Sequence, residues 1–205
     1  MSISIRAATQ QDIAPVTEIL VEAFRQDPAF WRIVGNQPNS SELLRKLFTL
    51  QIEKFYLSSG VVDLAVSDDA GIVAAALWEK PDAIVPLSQR VSKAAGLVRL
   101  LGASTARALR RELQVDAYHP KFAHWYLYAI GTGSSARGKG AGSALLRHGI
   151  ARAGDDPIYL ESSAPRSASL YERHGFVPLG RIPNNDDLPA ELAMWRPGVF
   201  AAQGR

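Results

Sequence analysis

The chain predicts an α/β (α+β) fold, a mixed sheet with helices on both faces. Three observations carry that expectation. Period-2 and period-3.6 apolar patterns interleave along the chain; two apolar runs joined by Asp68-Asp69-Ala70-Gly71 form a clear hairpin; and the aromatic, branched stretch AHWYLYAIG (123–131) runs into a glycine-containing turn and an amphipathic helix. With 205 residues, 47% of them hydrophobic, one domain over 1–205 is expected.

Each element has its own signal. Ile3–Ala7 alternates as a short strand, and Thr9 with Asp12 then forms a capping arrangement for a helix. That helix carries Ile13, Val16, Ile19, Leu20, Ala23 and Phe24 at helical spacing, with Pro15 in its first turns, and breaks at Pro28. A second helix runs from Ser40 or Ser41 to about Ser58, with Leu44, Leu47, Phe48, Ile52 and Phe55 on one face. The hairpin follows, then a helical insert over about 81–120 between the third and fourth strands. Its apolar positions are Val91, Ala94, Ala95, Val98, Leu101, Leu109 and Leu113, and Gly96 and Gly102 interrupt it. After the strand at 123–131 come a helix from about Gly138 to Ala153, a strand at 157–162, a short helix at 165–175 and two closing strands, FVPLGRI and AELAMWR.

Composition removes several function classes. The chain starts without a leader pattern and has no run of about 18 apolar residues, so a soluble, cytoplasmic protein is expected. It has no Cys, hence no disulfide framework, thiolate site or cysteine nucleophile. Its four His lack metal-ligand spacing, so no metal is expected. A net charge of +3 does not argue for nucleic acid, and the six Lys/Arg against one Glu over 88–113 are read as a solvated helical cover, with a membrane or acidic partner as the rival.

The chemistry-bearing stretch is SSARGKGAGSALL, Ser134 to Leu146, at a strand-to-helix junction. Unpaired N–H groups and the helix dipole make such a start a phosphate site, and glycines let the phosphate approach the main chain. Three loops compete. From Gly133, GSSARGKG fits a nucleotide-hydrolase loop but places Gly140 where a Ser or Thr hydroxyl must bind magnesium. A dinucleotide fingerprint fails because its third glycine position is Ser143 and the loop sits late in the chain. The pattern Arg/Gln-x-x-Gly-x-Gly/Ala matches at every defined position from Arg137 to Gly142.

That third loop resembles the coenzyme A pyrophosphate loop of the GNAT superfamily of acetyl-CoA-dependent N-acetyltransferases, and LYERHGF (170–176) resembles the family's second signature, a Tyr shortly before Gly-Phe. LESSAPRSASLYERHGF, HPKFAHWYL, ALWEKPDA and QDPAFW are further similar to the puromycin N-acetyltransferase group and its actinobacterial relatives, well over 122–180 and loosely elsewhere. The resemblance implies a mostly antiparallel sheet of about seven strands in the GNAT fold. It also implies a ternary complex in which a primary amine, expected on a small molecule with antibiotics among the candidates, attacks acetyl-CoA directly. Rival expectations are a protein lysine or N-terminal acetyltransferase and a non-catalytic acyl-CoA sensor. The state is expected to be monomer or homodimer, with no nucleic acid or membrane partner.

By the same resemblance, Ala129, Ile130, Gly131 and Thr132 bind the donor's pantetheine arm through their backbone on a strand that splays from its neighbour. Arg137, Gly138, Lys139, Gly140, Ala141 and Gly142 hold its pyrophosphate; Arg166 and Arg173 are either further contacts or surface charges. Tyr171 is the implied acid, against a plain buried aromatic. Full proton transfer from a phenol of pKa about 10 to a thiolate of about 8.5 is uphill by roughly 2 kcal/mol, so hydrogen-bond stabilisation of the sulfur or a lowered phenol pKa is needed. An alkylammonium must first lose a proton, and Glu161, at the end of the strand beside the splay, is the first candidate base. Glu79 is the second, and His119 and His124 stay open. Phe30, Trp31 and Glu79 with the insert are expected around the acceptor, with core packing as the alternative. Two positions depart from the family pattern: Ser134 replaces the usual Pro after the strand, and Ala164 replaces the common Asn seven residues before the Tyr.

Overall fold

In a computed structural model that describes residues 2–81, 95–102 and 105–199, the alternating stretches become strands and the 3.6-period stretches helices. In chain order they are β1 (Ile3–Ala7), α1 (Ile13–Phe24), α2 (Pro28–Val34), α3 (Ser40–Gln51), β2 (Val61–Ser67) and β3 (Gly71–Glu79). Then come α4 (Thr105–Asp116), β4 (Trp125–Thr132), α5 (Ala141–Ala153), β5 (Ile158–Ser162), α6 (Pro165–Glu172), β6 (Val177–Arg181) and β7 (Leu192–Arg196). A π-helical turn, Ile52–Tyr56, carries α3 further, and residues 95–101 are helical. Among the described residues the strands form one seven-stranded sheet, β1-β2-β3-β4-β5-β7-β6. Its pairs are antiparallel except β4 with β5.

The helices divide between the two faces. Val16, Leu20, Leu44, Leu47 and Phe48 of α1 and α3 pack with Phe30 of α2 on Leu64, Ala75 and Leu77. Leu145 and Leu146 of α5, with Tyr171 and Phe176, pack on Val73, Trp78, Trp125 and Leu127 from the other side. Each fully buried Leu there is worth about 1.5–3 kcal/mol of removed apolar surface. On the α5 face, Arg152 donates to both oxygens of Asp63 at 2.8 Å, and its guanidinium lies 5.5 and 5.2 Å from the ring centroids of Trp78 and Trp125.

Three expectations change. Pro28, read as the break after α1, instead opens α2: Asp27 caps it, accepting from the N–H groups of Ala29 at 2.9 Å and Phe30 at 3.4 Å, and Pro28 occupies the first position, where an N–H has no helical partner anyway. The helix expected from about Gly138 starts at Ala141, because Gly138 and Gly140 have φ of +77° and +87°. In the insert, Val91 and Ala94 lie outside the described residues, while Val98, Leu109 and Leu113 are exposed and Leu101 is buried. The residues that α4 turns inward include Arg111 and Val115.

Arg111 is buried because it shares an ion cluster. Arg32 of α2 donates to Glu191 at 2.8 Å, to Asp186 at 2.8 and 3.0 Å, and to the carbonyls of Leu188 and Pro189. Arg111 donates to the other Glu191 oxygen. This cluster fastens α4 and α2 to the segment between β6 and β7, and loss of one partner would leave a buried charge at a cost of about 3–5 kcal/mol.

One irregularity sets the site. β3 pairs Leu77 with Ala129 but Trp78 with Leu127, so Tyr128 is an extra residue in β4. Tyr128 and Ala129 consequently both join the core on the α1–α3 side, whereas Leu127 and Ile130 join the one under α5.

Candidate active site

The site starts where β4 leaves β5. The two strands pair only at Trp125, Tyr126 and Leu127, opposite Ile158, Tyr159 and Leu160, while β4 stays paired to β3 as far as Thr132 opposite Ala74. Ala129, Ile130, Gly131 and Thr132 thus border a gap, and along a strand alternate residues turn both N–H and C=O away from β3 toward it. Helix α1 crosses close by. A Cβ on Gly131 would lie 2.9 Å from the Ala23 Cβ and 3.0 Å from Leu20, so glycine there is required by close approach.

The gap ends at the glycine loop. Gly138 and Gly140 both hold left-handed backbone, and a Cβ at either would meet nothing within 4 Å, so conformation rather than room calls for glycine. Gly142 differs: its Cβ would make an ordinary 3.4 Å contact with Thr132 Oγ1. Gly140 caps α5 without a side-chain cap, which leaves the first-turn N–H groups of Ala141 and Gly142 free of helical partners. Arg137 and Lys139 flank the turn and are exposed, as are Arg166 and Arg173. Exposed cations, free N–H groups and a helix start are the donor set that a pyrophosphate needs.

Ser134, where the family commonly has Pro, has a specific use. Its backbone N–H donates to Glu22 Oε1 of α1 at 3.1 Å, a bond that proline cannot make. The loop entry is therefore pinned by a hydrogen bond instead of a ring. Ala164 caps α6 with no side-chain bond; its carbonyl accepts from the hydroxyls of Ser162 and Ser167 at 3.0 and 2.9 Å.

Beside the splay lies a cavity of about 330 Å³. Phe24, Phe30, Ile33 and Leu47 give it apolar lining, Tyr126 and Tyr128 phenolic lining, and Leu97, Arg111 and Val115 of the insert also line it. Four carboxylates line it: Asp27, Glu79, Glu161 and Glu191. Two are already answered from within. Glu191 takes both arginines, and Asp27 accepts the α2 N–H groups and the Ser163 hydroxyl, while burial pushes its pKa up.

The other two receive phenols. Tyr56 donates to Glu79 Oε1 at 3.0 Å, and Tyr126 donates to Glu161 Oε2 at 2.7 Å. Burial first, then the neighbouring carboxylates, raises both phenols well above the ordinary value, so they remain donors. His119 Nε2 lies 3.1 Å from Glu161 Oε1, yet that oxygen is buried without a hydrogen bond because the approach is misaligned. The His119 ring packs against Tyr126 and Tyr159, each 4.6 Å away between centroids.

The expected site residues separate as follows. Glu79, Glu161, Phe30 and His119 come together around the cavity. Trp31 is not in this lining, and its indole N–H donates to the Arg25 carbonyl at 2.9 Å. His124 also lies outside, bonded through Nδ1 to the Phe122 carbonyl at 2.7 Å and kept below its ordinary pKa by burial. Tyr171 is buried, 5.9 Å from Phe176 between ring centroids, and burial, Asp27 and Glu161 together raise its pKa. A phenol so placed keeps its proton, which favours hydrogen-bond donation over a lowered pKa as the way to stabilise a leaving sulfur.

Tyr56, Tyr126, Tyr128, Asp27, Arg111 and Glu191 were missed by sequence reasoning. The WYLY alternation marks Tyr126 and Tyr128 as one face of a strand, and Asp27-Pro28 is a helix-start signal; nothing local marks Arg111 or Glu191.

The sequence pattern of the Acetyltransferase (GNAT) family matches residues 95–176. A crystal structure from Corynebacterium glutamicum, described as histone acetyltransferase HPA2 and related acetyltransferase, is 48% identical and has a TM-score of 0.81, covering 98% of this chain and 99% of that one. Arylalkylamine N-acetyltransferase 2 from Aedes aegypti shares the fold at 16% identity and a TM-score of 0.66, covering 95% and 98%. A phosphinothricin acetyltransferase from Sinorhizobium meliloti, in complex with AcCoA, does so at 17% and 0.57, covering 100% and 93%. Among the described residues no helix is long and apolar enough to cross a membrane.

Proposed function

Since the chain belongs to the acetyltransferase (GNAT) family, we propose that it moves an acetyl group from acetyl-CoA to a primary amine on a small molecule, by direct attack in a ternary complex. The observation that carries this reading is the cavity beside the β4–β5 splay. A concave site of about 330 Å³ with Leu97, Arg111 and Val115 in its wall favours a small acceptor over a peptide, which an open groove would suit better.

Bound acetyl-CoA supplies an activated thioester. Arg137, Lys139 and the N–H groups from Gly138 to Gly142 hold its pyrophosphate, and the free edge of Ala129–Thr132 holds the arm and donates an N–H to the carbonyl oxygen. Glu161 receives a proton from the acceptor's ammonium, with His119 Nε2, 3.1 Å from its Oε1, as the neighbour that can take the proton on once the two align. As the N–C bond forms and the C–S bond breaks, nitrogen sheds a second proton, which ends on the sulfur. Tyr171 serves that sulfur as a hydrogen-bond donor that keeps its own proton, in keeping with its raised pKa.

Thiol release with a panel of amines tests this reading. Amine-dependent release is the expected result; acetyl-CoA binding without release for any amine would leave an acyl-CoA sensor. The name of the Corynebacterium relative points to protein acceptors, so lysine peptides and a histone tail belong in the panel. A kcat/KM for peptides above that of every small amine would replace the proposal with protein acetylation.

A further inference from the structure

We infer that the acceptor of this site is a dication: an aliphatic amine that carries a second cationic nitrogen several methylenes from the one acetylated. The inference rests on the acetyltransferase reading above and specifies its substrate class. Its basis is the balance of charge in the cavity. Asp27 and Glu191 are satisfied by the protein, whereas Glu79 and Glu161 accept hydrogen bonds from phenols and, among the described residues, pair with no Lys or Arg, although His119 Nε2 lies 3.1 Å from Glu161.

The side chain of Glu161 is only 10% exposed, and its Oε1 is left without a hydrogen bond. On the opposite wall the Oε1 of Gln51, a residue 7% exposed, is likewise buried without a partner. The two orphaned groups that line the cavity are both acceptors, which favours a ligand rich in donors. Glu161 is the buried member of the pair and Glu79 the exposed one, so a ligand with one cation would answer Glu161 and leave Glu79 to Tyr56 and solvent, while a second cation would meet Glu79 and an anionic ligand would add to the imbalance.

The spacing and the walls define the rest of the ligand. Glu79 pairs with Tyr126, and Tyr126 with Tyr159, two residues before Glu161 on the same strand, so both carboxylates stand on one sheet face. They are two strand spacings apart across the sheet and two residues apart along it, roughly 12 Å at the backbone. Tyr126 stands between them on the sheet, and the lining of the same cavity includes Phe24, Phe30 and Leu47, which suits methylenes. The nitrogen at Glu161, beside the splay, is acetylated after it gives up its proton. The nitrogen at Glu79 stays charged and anchors the chain.

Initial rates of thiol release by the full chain, with saturating acetyl-CoA, test this. The substrates are α,ω-diamines of four to eight carbons, the n-alkylamines of matched length and the matched ω-amino acids. Calorimetric titration of the same compounds gives a readout that needs no turnover. The expected result is a kcat/KM for the best diamine at least about tenfold above its alkylamine, with the amino acid below both. In Glu79→Gln and Glu79→Ala the diamine should fall to the alkylamine's value, with the thermal midpoint reporting that each variant is folded. Equal rates for diamine and alkylamine in the wild type would overturn the inference while leaving amine acetylation intact. If no amine supports release, the acetyltransferase reading fails by itself, and the titrations decide the dication: tighter diamine binding that is lost in Glu79→Gln sustains it, and equal binding ends it.

Discussion

The donor side and the acceptor side of this site are built by opposite means. The proposed donor side is one continuous segment, Ala129 to Gly142, which offers main-chain groups on a strand edge that β5 leaves after Leu127 and two left-handed glycines. The acceptor side is discontinuous: its walls come from α1, α2, α3, β3, β4, β5, the insert and the chain before β7. Backbone recognition tolerates changes in side chains but not in conformation. Recognition by assembled side chains has the opposite tolerance. A chain can thus keep one donor while its acceptor pocket is rebuilt residue by residue.

The difference can be broken at its most sensitive point first. Glu161→Gln should lower kcat by about 10²-fold or more with acetyl-CoA binding unchanged by calorimetry, and the loss should shrink as pH rises toward the acceptor's pKa and free amine accumulates. Next in size, Tyr171→Phe should cost about tenfold to 10²-fold in kcat. Because burial, Asp27 and Glu161 hold that phenol above its ordinary pKa, its deprotonation should produce no fall in wild-type rate between pH 8 and 10. On the donor side, Gly140→Ala forces a left-handed conformation worth about 1–2 kcal/mol, so the KM for acetyl-CoA should rise roughly tenfold and that for the amine stay constant. Gly142→Ala should change neither by more than about twofold, since its Cβ makes only an ordinary contact.

The smallest expected effect is on acid stability. Arg32 holds Asp186 down to about 2, below the usual carboxylate value, so the ion pair contributes fully above about pH 4 and is lost as pH falls toward 2. The Asp186 side chain is 40% exposed, so solvent screens the pair and the contribution is modest. Thermal midpoints of Asp186→Asn should depend less on pH than those of the wild type across that window.

Legibility in the sequence divides along the same line. β1, the β2–β3 hairpin and the order from β4 to β7 follow from local period and turn chemistry. The loop was found because its six residues are contiguous and its glycines are required by backbone angles. Phe30, Glu79 and Glu161 were placed by their positions at element ends. Arg111 was counted with the basic surface of the insert, because a buried cation is announced only by its partner, and Glu191 lies 80 residues further on. A helix through Pro28 puts neighbours Phe30 and Trp31 on different faces, which only the helix start reveals. Tyr128 was read as one more strand residue, for register cannot be seen without the opposing strand.

That extra residue at Tyr128 constrains how such a protein can change. A single shift of phase in the pleat sends an aromatic ring toward the acceptor and, within the next few residues, begins the edge on which the donor is proposed to lie. Deleting one residue from β4 would move the specificity wall and the thioester cradle together, and neither could be repaired separately. Variation in the length of this strand should therefore be inaccessible to evolution and to engineering alike, so that new acceptors are reached by exchanging side chains on a backbone of constant count.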